Sequence, residues 1–473
     1  MTRSIVWFRQ DLRLADHPAL LTAVEGSSEV LPLYIHDAEV SGKAWPMGSA
    51  AKWWLHHALV ALDENLQKLG SRLEIRVGSP EKILIDLVQS AQIDAVYWNR
   101  RYGPEDRAVD QAIKDKLKQL GVTVKSFNGS LLREPWEVVK GDGEPYRVFT
   151  PFWKALERQG LDLPAEPAPS SLPAWKHDGQ GVSVDALNLL PKIPWDQGFK
   201  DTWAVSESAA HELLESFVSG PIAAYSDHRN LPDRQGTSRL SPYLLFGQIS
   251  PRQVVQAVRG ASPWGLGEGA TTFLKEIGWR EFAHHLLFHY PKTTNHPLDL
   301  RFERFPWLQD PKMLKAWQQG QTGIPIVDAG MRELWHTGWM HNRVRMIVAS
   351  FLTKNLRHHW LEGARWFFDT LVDADLANNT LGWQWTAGCG ADAAPFFRIF
   401  NPVLQGEKFD PEGRYVRRWV PELSKVPNAY LHHPWDLPLQ HEAKAEITAH
   451  YPQPLVDLSL SRLQALEAFK SIK

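Results

Sequence analysis

The spacing of apolar and polar positions changes character twice along the chain. In the first 130 residues, short β-rich runs lie at Ile5–Arg9, Val30–His36, Leu73–Val77, Ala95–Asn99 and Val122–Phe127. Between them, Ala50–Leu69, Glu81–Ala91 and Pro104–Leu120 repeat apolar residues every three or four positions, the period of an amphipathic helix. Strand and helix in alternation predict a parallel sheet covered on both faces, a Rossmann-like α/β domain over residues 1–130. Such a sheet binds ligands at the carboxyl ends of its strands. Periodicity then fades over 131–204, where Pro164, Pro167, Pro169, Pro173, Pro191 and Pro194 predict an interdomain linker. From 205 to 473 the helical period dominates, at Glu207–Ser219, Pro251–Val258, Thr271–His289, Pro311–Gln319, Pro325–His336, His341–Lys354 and Ala364–Leu371. The expectation is an all-α second domain.

Composition narrows the class. The 473 residues are 43% hydrophobic and 22% charged, as in an ordinary globular protein, and no apolar run approaches the roughly 18 residues of a membrane span. The N-terminus enters a charged strand directly, which leaves no room for a signal peptide, so a cytoplasmic location is expected. The single Cys389 excludes an intrachain disulfide and a cysteine-based zinc cage. Net charge is −2, so contact with nucleic acid would need a local basic patch; Met340–Arg365 supplies one, with Arg343, Arg345, Lys354, Arg357 and Arg365 against Glu362. Taken alone, such a run is more often a solvated helix face. No Gly-x-Gly-x-x-Gly follows the first strand and no Walker lysine motif occurs, which disfavours a dinucleotide dehydrogenase or a P-loop enzyme. Trp is unusually frequent: 22 against 20 Phe and 10 Tyr. Burial accounts for most of these indoles, although indole also stacks on flat ligands and is readily oxidised.

Four segments carry candidate chemistry. Asp373-Ala-Asp-Leu-Ala-Asn-Asn-Thr-Leu-Gly-Trp-Gln-Trp385 begins like a calcium loop, but Ala377 and Asn378 stand where a ligand and the required glycine belong. Its plainer reading is a helix start capped by Asp373 or Asp375; the density of carboxylates and amides would also suit the ribose and ring atoms of a flavin. Gly236-Thr-Ser-Arg-Leu-Ser241 offers hydroxyls and backbone N–H groups to phosphates, or is simply a capping segment. Glu276 and Trp279, and separately Trp339, Asn342, Arg343 and Met346, fall on common helical faces. Either face reads as a core stripe with ion pairs, or as a surface that stacks on and hydrogen-bonds a base-sized ligand.

Taken in order, Val6-Trp-Phe-Arg-Gln-Asp-Leu-Arg13, Gly236–Ser241, Trp279-Arg-Glu-Phe282, Gly338-Trp-Met-His-Asn-Arg-Val-Arg345, Asp392-Ala-Ala-Pro-Phe-Phe-Arg-Ile-Phe-Asn-Pro402 and Gly406-Glu-Lys-Phe-Asp410 resemble the DNA photolyase and cryptochrome family over nearly the whole chain, and the bacterial cyclobutane pyrimidine dimer photolyases most of all. The resemblance implies an FAD-binding helical domain, with Tyr225, Thr237, Ser238, Arg239, Leu240 and Ser241 around the phosphates. It puts Asp373, Ala374 and Asp375 near ribose and isoalloxazine, and Asn379 beside flavin N5, where plant cryptochromes carry Asp. Glu276, Trp279, Asn342, Met346 and Trp385 match the dimer pocket. Arg229, Arg280, Arg343, Arg345 and Gln405, together with Glu276, Trp279 and Asn342, match the DNA-facing set. Trp383, Trp360 and Trp307 match a three-tryptophan wire that photoreduces the flavin.

The resemblance further implies DNA containing pyrimidine dimers as partner, no metal and a monomeric protein. Two histidines replace Asn342 and Met346 in the photolyases that act on (6-4) photoproducts, which argues against that lesion. Trp98-Asn-Arg-Arg-Tyr-Gly-Pro-Glu-Asp106 resembles an antenna-side loop, with Glu105 or Asp106 as contact for 5,10-methenyltetrahydrofolate. Tyr290-Pro-Lys-Thr-Thr-Asn-His296 departs from the Cys-Lys pair of some folate-binding members, so a deazaflavin or second flavin stays open. The main competitor is a cryptochrome-like light sensor; Asn379, Met346 and the chain's stop at Lys473 without a long extension weigh against it. An ordinary FAD oxidoreductase would be expected to show the missing dinucleotide fingerprint.

Overall fold

The computed structural model describes residues 2–37, 44–176, 180–262, 265–393 and 397–473; Ala394, Pro395 and Phe396 of the Asp392–Pro402 motif lie outside them. Five parallel strands form one sheet: β1 (Arg3–Phe8), β2 (Glu29–His36), β3 (Glu74–Val77), β4 (Ala95–Asn99) and β5 (Thr123–Phe127), in the order β3-β2-β1-β4-β5. β1 is registered on β2 with Ile5 opposite Leu31 and Trp7 opposite Leu33, and on β4 with Ile5 opposite Val96. β1 and β4 read as almost continuous apolar runs because both faces of the sheet are covered. The crossovers are α1 (Pro18–Gly26), α2 (Ser49–Lys68), α3 (Pro80–Ala91) and α4 (Pro104–Gln119).

Periodicity missed α1, whose nine residues are short for a pattern, and α5 (Phe149–Arg158), which falls inside the predicted linker. Gly and Pro on either side of α5 read as loop, yet its Phe149, Phe152, Trp153 and Leu156 recur at helical spacing and are buried.

The helices that follow are α6 (Gln197–Thr202), α7 (Glu207–Ser219), α8 (Tyr225–His228), α9 (Ser241–Leu245), α10 (Pro251–Gly260), α11 (Glu268–His289), α12 (Pro311–Gln318), α13 (Pro325–Thr337), α14 (Asn342–Ser350), α15 (Trp360–Thr370), α16 (Leu376–Ala387) and α17 (Pro402–Phe409). The chain closes with α18 (Arg414–Trp419), α19 (Asn428–Leu431), α20 (Ala443–His450) and α21 (Leu458–Lys470). Proline begins α10, α12, α13 and α17, where its missing N–H costs nothing, and Ser250 and Gln253 close a capping box on α10. The stretch expected as one helix over His341–Lys354 is α14 followed directly by a π turn, Phe351–Asn355.

The chain divides into two compact units that do not follow the boundaries at 130 and 204. The first comprises Met1–Pro194, Trp203–Ala223 and Ser238–Pro291, so α7, α9, α10 and α11 belong with the sheet. The second comprises Trp195–Thr202, Ala224–Thr237 and Lys292–Lys473. No described helix is long and apolar enough to cross a membrane.

Candidate functional site

In the first unit, the carboxyl ends of β1 and β4 meet where the strand order reverses, the usual ligand position of an open α/β sheet. Here the polar side chains bond one another. Arg9 Nη1 donates to Asp110 Oδ1 at 2.5 Å, Trp98 Nε1 donates to Asp110 Oδ2 at 3.0 Å, and Asn99 Nδ2 donates to Asp11 Oδ2 at 2.9 Å. Burial alone would raise the Asp11 carboxyl, but His17 Nε2 at 3.0 Å, with the Arg9 N–H and guanidinium, together outweigh it and hold the group below the usual range. Of the antenna candidates, Glu105 lies exposed in the first turn of α4 and accepts from Ala44 N at 3.2 Å, while Asp106 is paired with Arg101 at 2.7 Å.

α11 carries Glu276 and Trp279, both half-buried. Phe149 of α5 stacks on the Trp279 indole at 3.8 Å between centroids and 8° between planes, a partner the sequence reading missed. Gly278 lets α5 come close: a Cβ there would overlap the Trp153 ring. Next to Trp279, Arg280 corrects the expectation that it faces DNA. It is buried, donates to Ser130 O at 2.7 Å and sits 3.6 Å from Glu281. Glu281 anchors the helix by accepting from Leu132 N at 2.9 Å and Arg133 N at 3.3 Å, and burial pushes its carboxyl up to about 7 despite Arg280 and those two N–H groups.

The hydroxyl segment also reaches into this unit. Arg239 holds a left-handed φ of 53° and places its guanidinium over the Trp203 ring at 4.6 Å. Ser238 is half-buried, Leu240 is buried in the core, and exposed Ser241 begins α9.

In the second unit, Tyr225 is buried with Arg229 over its ring at 5.5 Å, and Thr237 is half-buried. α14 and α16 pack against each other. Asn342 is exposed, Met346 one turn on is half-buried, and Trp385 and Asn379 on α16 are half-buried. His341 caps α14 by accepting from Arg343 N at 3.2 Å. Burial, reinforced by Arg345, Arg343 and Arg229, drives its pKa down to about 3, so the cap stays neutral amid a cationic cluster.

Arg345 donates to Asp373 Oδ2 at 2.8 Å and to Met340 O at 2.7 Å, so it braces the acidic pair rather than only facing outward. Arg343 donates to Asn230 Oδ1 at 2.8 Å and lies over Phe409. Asp375 is the N-cap of α16, accepting from Asn378 N at 2.7 Å, which bears out the plain capping alternative for that carboxylate; Ala374 is buried beside it. Gln405 sits half-buried on α17.

Asn379 donates Nδ2 to Ala364 O at 2.9 Å, which leaves Oδ1 as an acceptor. Gln384 fastens α16 through Leu298 N, Thr293 O and His296 O at 2.9, 2.7 and 2.9 Å. Lys354, buried in the π turn, donates to Ala387 O at 2.5 Å and lies over Phe397, its pKa well lowered by burial. Trp383 is buried against Gly363, where a Cβ would overlap the indole; Trp360 is buried at the start of α15, and Trp307 is half-buried. No metal-holding cluster of His, Cys, Asp or Glu occurs among the described residues.

The chemistry of these side chains fits a flavin dinucleotide. In the second unit Tyr225 and Thr237 carry hydroxyls, Asp373 a carboxylate and Asn379 an amide oxygen that could accept from such a group; in the first, Ser238 and Ser241 carry hydroxyls and Arg239 a cation, donor types that suit a diphosphate.

The family model for the FAD binding domain of DNA photolyase matches residues 273–471, and the DNA photolyase model matches residues 4–172. A deoxyribodipyrimidine photo-lyase of Agrobacterium fabrum is 49% identical over 99% of this chain and 98% of its own length. Cryptochrome-1 of Arabidopsis thaliana is 39% identical over 99% of this chain and 70% of its own. A crystal structure of a bacterial class III photolyase from Agrobacterium tumefaciens superposes with a TM-score of 0.94 at 46% identity, covering 100% of this chain and 98% of that one. From its first strand to its last helix, the chain belongs to the DNA photolyase family.

Proposed function

We propose that the protein is a deoxyribodipyrimidine photo-lyase that repairs cyclobutane pyrimidine dimers in DNA under light. The observation that carries this reading is the outward set on α14 and α16: Asn342, Met346 and Trp385 on two packed helices, with Asn379 six residues before Trp385. A flipped-out dimer is two saturated rings joined through a cyclobutane, apolar on its outer faces and rich in carbonyls, and this set offers an indole, a thioether and an amide.

Reduced FAD, when bound, supplies the photoexcited electron that splits the dimer. Tyr225, Thr237, Ser238, Arg239 and Ser241 hold its phosphates, Leu240 and Ala374 close the walls, and Asp373 and Asp375 orient its ribose and ring. The Arg345 guanidinium, 2.8 Å from its Oδ2, fixes Asp373 in place. Asn379 accepts from the N–H at flavin N5. Asn342 donates to a dimer carbonyl, Trp279 and Trp385 stack on the bases, and Glu276 hydrogen-bonds the other carbonyl. Arg229, Arg343, Arg345 and Gln405 steer the DNA backbone. Trp307, Trp360 and Trp383 carry electrons inward. The antenna is a folate, 5,10-methenyltetrahydrofolate, reached through exposed Glu105, with Asp106 held aside by Arg101. The protein acts as a cytoplasmic monomer.

The test is repair of a thymine-dimer oligonucleotide by purified, chemically reduced protein under blue light, with a dark control. Light-dependent recovery of intact thymines supports the reading. No recovery from protein that holds photoreducible FAD overturns it in favour of a light sensor. Mass spectrometry of the released second chromophore decides the antenna.

A further inference from the structure

The proposed wire has a ring in it that the reading above does not use. His359 immediately precedes Trp360 and is half-buried. Its imidazole lies edge-on to Trp307, 5.1 Å between centroids at 65°, and stacked on Trp360 at 5.7 Å and 29°. Phe305 closes on Trp307 as well, at 4.4 Å.

The orientation of the His359 ring is set by the backbone: its Nδ1 accepts from Leu361 N at 3.1 Å as the N-cap of α15. A nitrogen that accepts cannot carry the proton, so the neutral ring is the Nε2–H tautomer. Burial lowers its pKa, Arg365 adds to that, and Glu362 opposes it. The Phe305–Leu308 stretch on its other side contains no ionisable residue. The ring is therefore uncharged at neutral pH, which matters because an imidazolium would oppose a positive hole on either neighbouring indole.

We propose that His359 is a positioning residue of the outer electron hop: its ring links Trp307 to Trp360 without adding a positive charge of its own to that hop. This rests on the three-tryptophan reading. In the step itself, Trp307 gives up one electron to oxidised Trp360; Trp360 returns to its neutral state, and Trp307 is left oxidised until an added thiol reduces it. An N-cap alone would be served by Ser, Asp or Asn. The aromatic ring is the part that capping does not require.

That separation defines the experiment. His359→Asn keeps the cap and removes the ring, whereas His359→Phe keeps a ring and removes the cap; His359→Asp replaces the first if it fails to accumulate. Flash-induced absorption of oxidised tryptophan and the yield of photoreduction with thiol are followed in flavin-loaded protein. Near-ultraviolet circular dichroism of flavin-free protein reports the seating of the indoles. The expected result is a several-fold loss of long-lived oxidised tryptophan and of photoreduction in His359→Asn, near-native values in His359→Phe, and unchanged repair by both after chemical reduction. Native photoreduction in His359→Asn while Trp307→Phe abolishes it overturns the proposal, as does an equal loss in both His359 variants, which marks a cap and nothing more. Native photoreduction in Trp307→Phe overturns the wire itself.

Discussion

The carboxyl edge of the sheet and the α14–α16 face both gather charged, amide and indole groups, yet they handle hydrogen bonds in opposite ways. At the sheet edge, Arg9, Asp11, His17, Asn99, Trp98 and Asp110 are buried and engage one another. On α14 and α16, the bracing is done by His341, Gln384 and the half-buried Arg345, while Asn342, Met346, Asn379 and Trp385 stay at least partly exposed. Polar density alone does not mark a binding surface. What distinguishes one is a layer of satisfied groups holding a layer that still has capacity.

Substitutions can break this contrast, and the largest effect should come from the closed region. Asp110→Ala leaves the Arg9 guanidinium buried without its carboxylate and should cost about 3–5 kcal/mol in urea unfolding. A loss below about 1 kcal/mol would show that the edge is hydrated like a ligand site.

Glu281 gives a pH test of how α11 is seated. Its folded pKa of about 7 lies above the ordinary 4.5, so its contribution is complete below about pH 4.5 and is lost as pH rises through 7. The difference is on the order of 3 kcal/mol, and Glu281→Gln should flatten that slope between pH 5 and 8 while keeping an oxygen for Leu132 N and Arg133 N.

Gly363→Ala forces a methyl against Trp383 and should cost about 1–3 kcal/mol, with photoreduction falling alongside. On the open face, exposed Asn342→Ala should change stability by less than about 0.5 kcal/mol but weaken binding of dimer DNA by about 1 kcal/mol, roughly fivefold, in a gel-shift titration. An equal loss for undamaged DNA would move Asn342 from the lesion to the backbone.

The sheet was legible because its buried strands are apolar and its crossovers amphipathic; each predicted strand lies within two residues of its observed end. α5 was hidden by Gly143, Pro145, Pro151 and Gly160 around and within it, even though Phe149, Phe152 and Trp153 stand at helical spacing. The motif residues of α14 and α16 were readable as chemistry. Their supports were less so: a histidine cap such as His341 carries no sequence signature, and Arg280 differs from Arg343 only in what surrounds it. Burial is a property of neighbours distant in sequence, and local spacing is silent on it.

The π turn after α14 sets a phase. An α-helix advances about 100° per residue, so deleting one residue among Phe351, Leu352 and Thr353 would leave Asn342 and Met346 where they are and swing Lys354 about that far from the Ala387 carbonyl and the Phe397 ring. The turn acts as a clutch between two angular registers, one for the end of the helix that carries Asn342 and Met346 and one for the end that grips the core. Insertions and deletions between α14 and Lys354 are therefore read as rotation of the anchor.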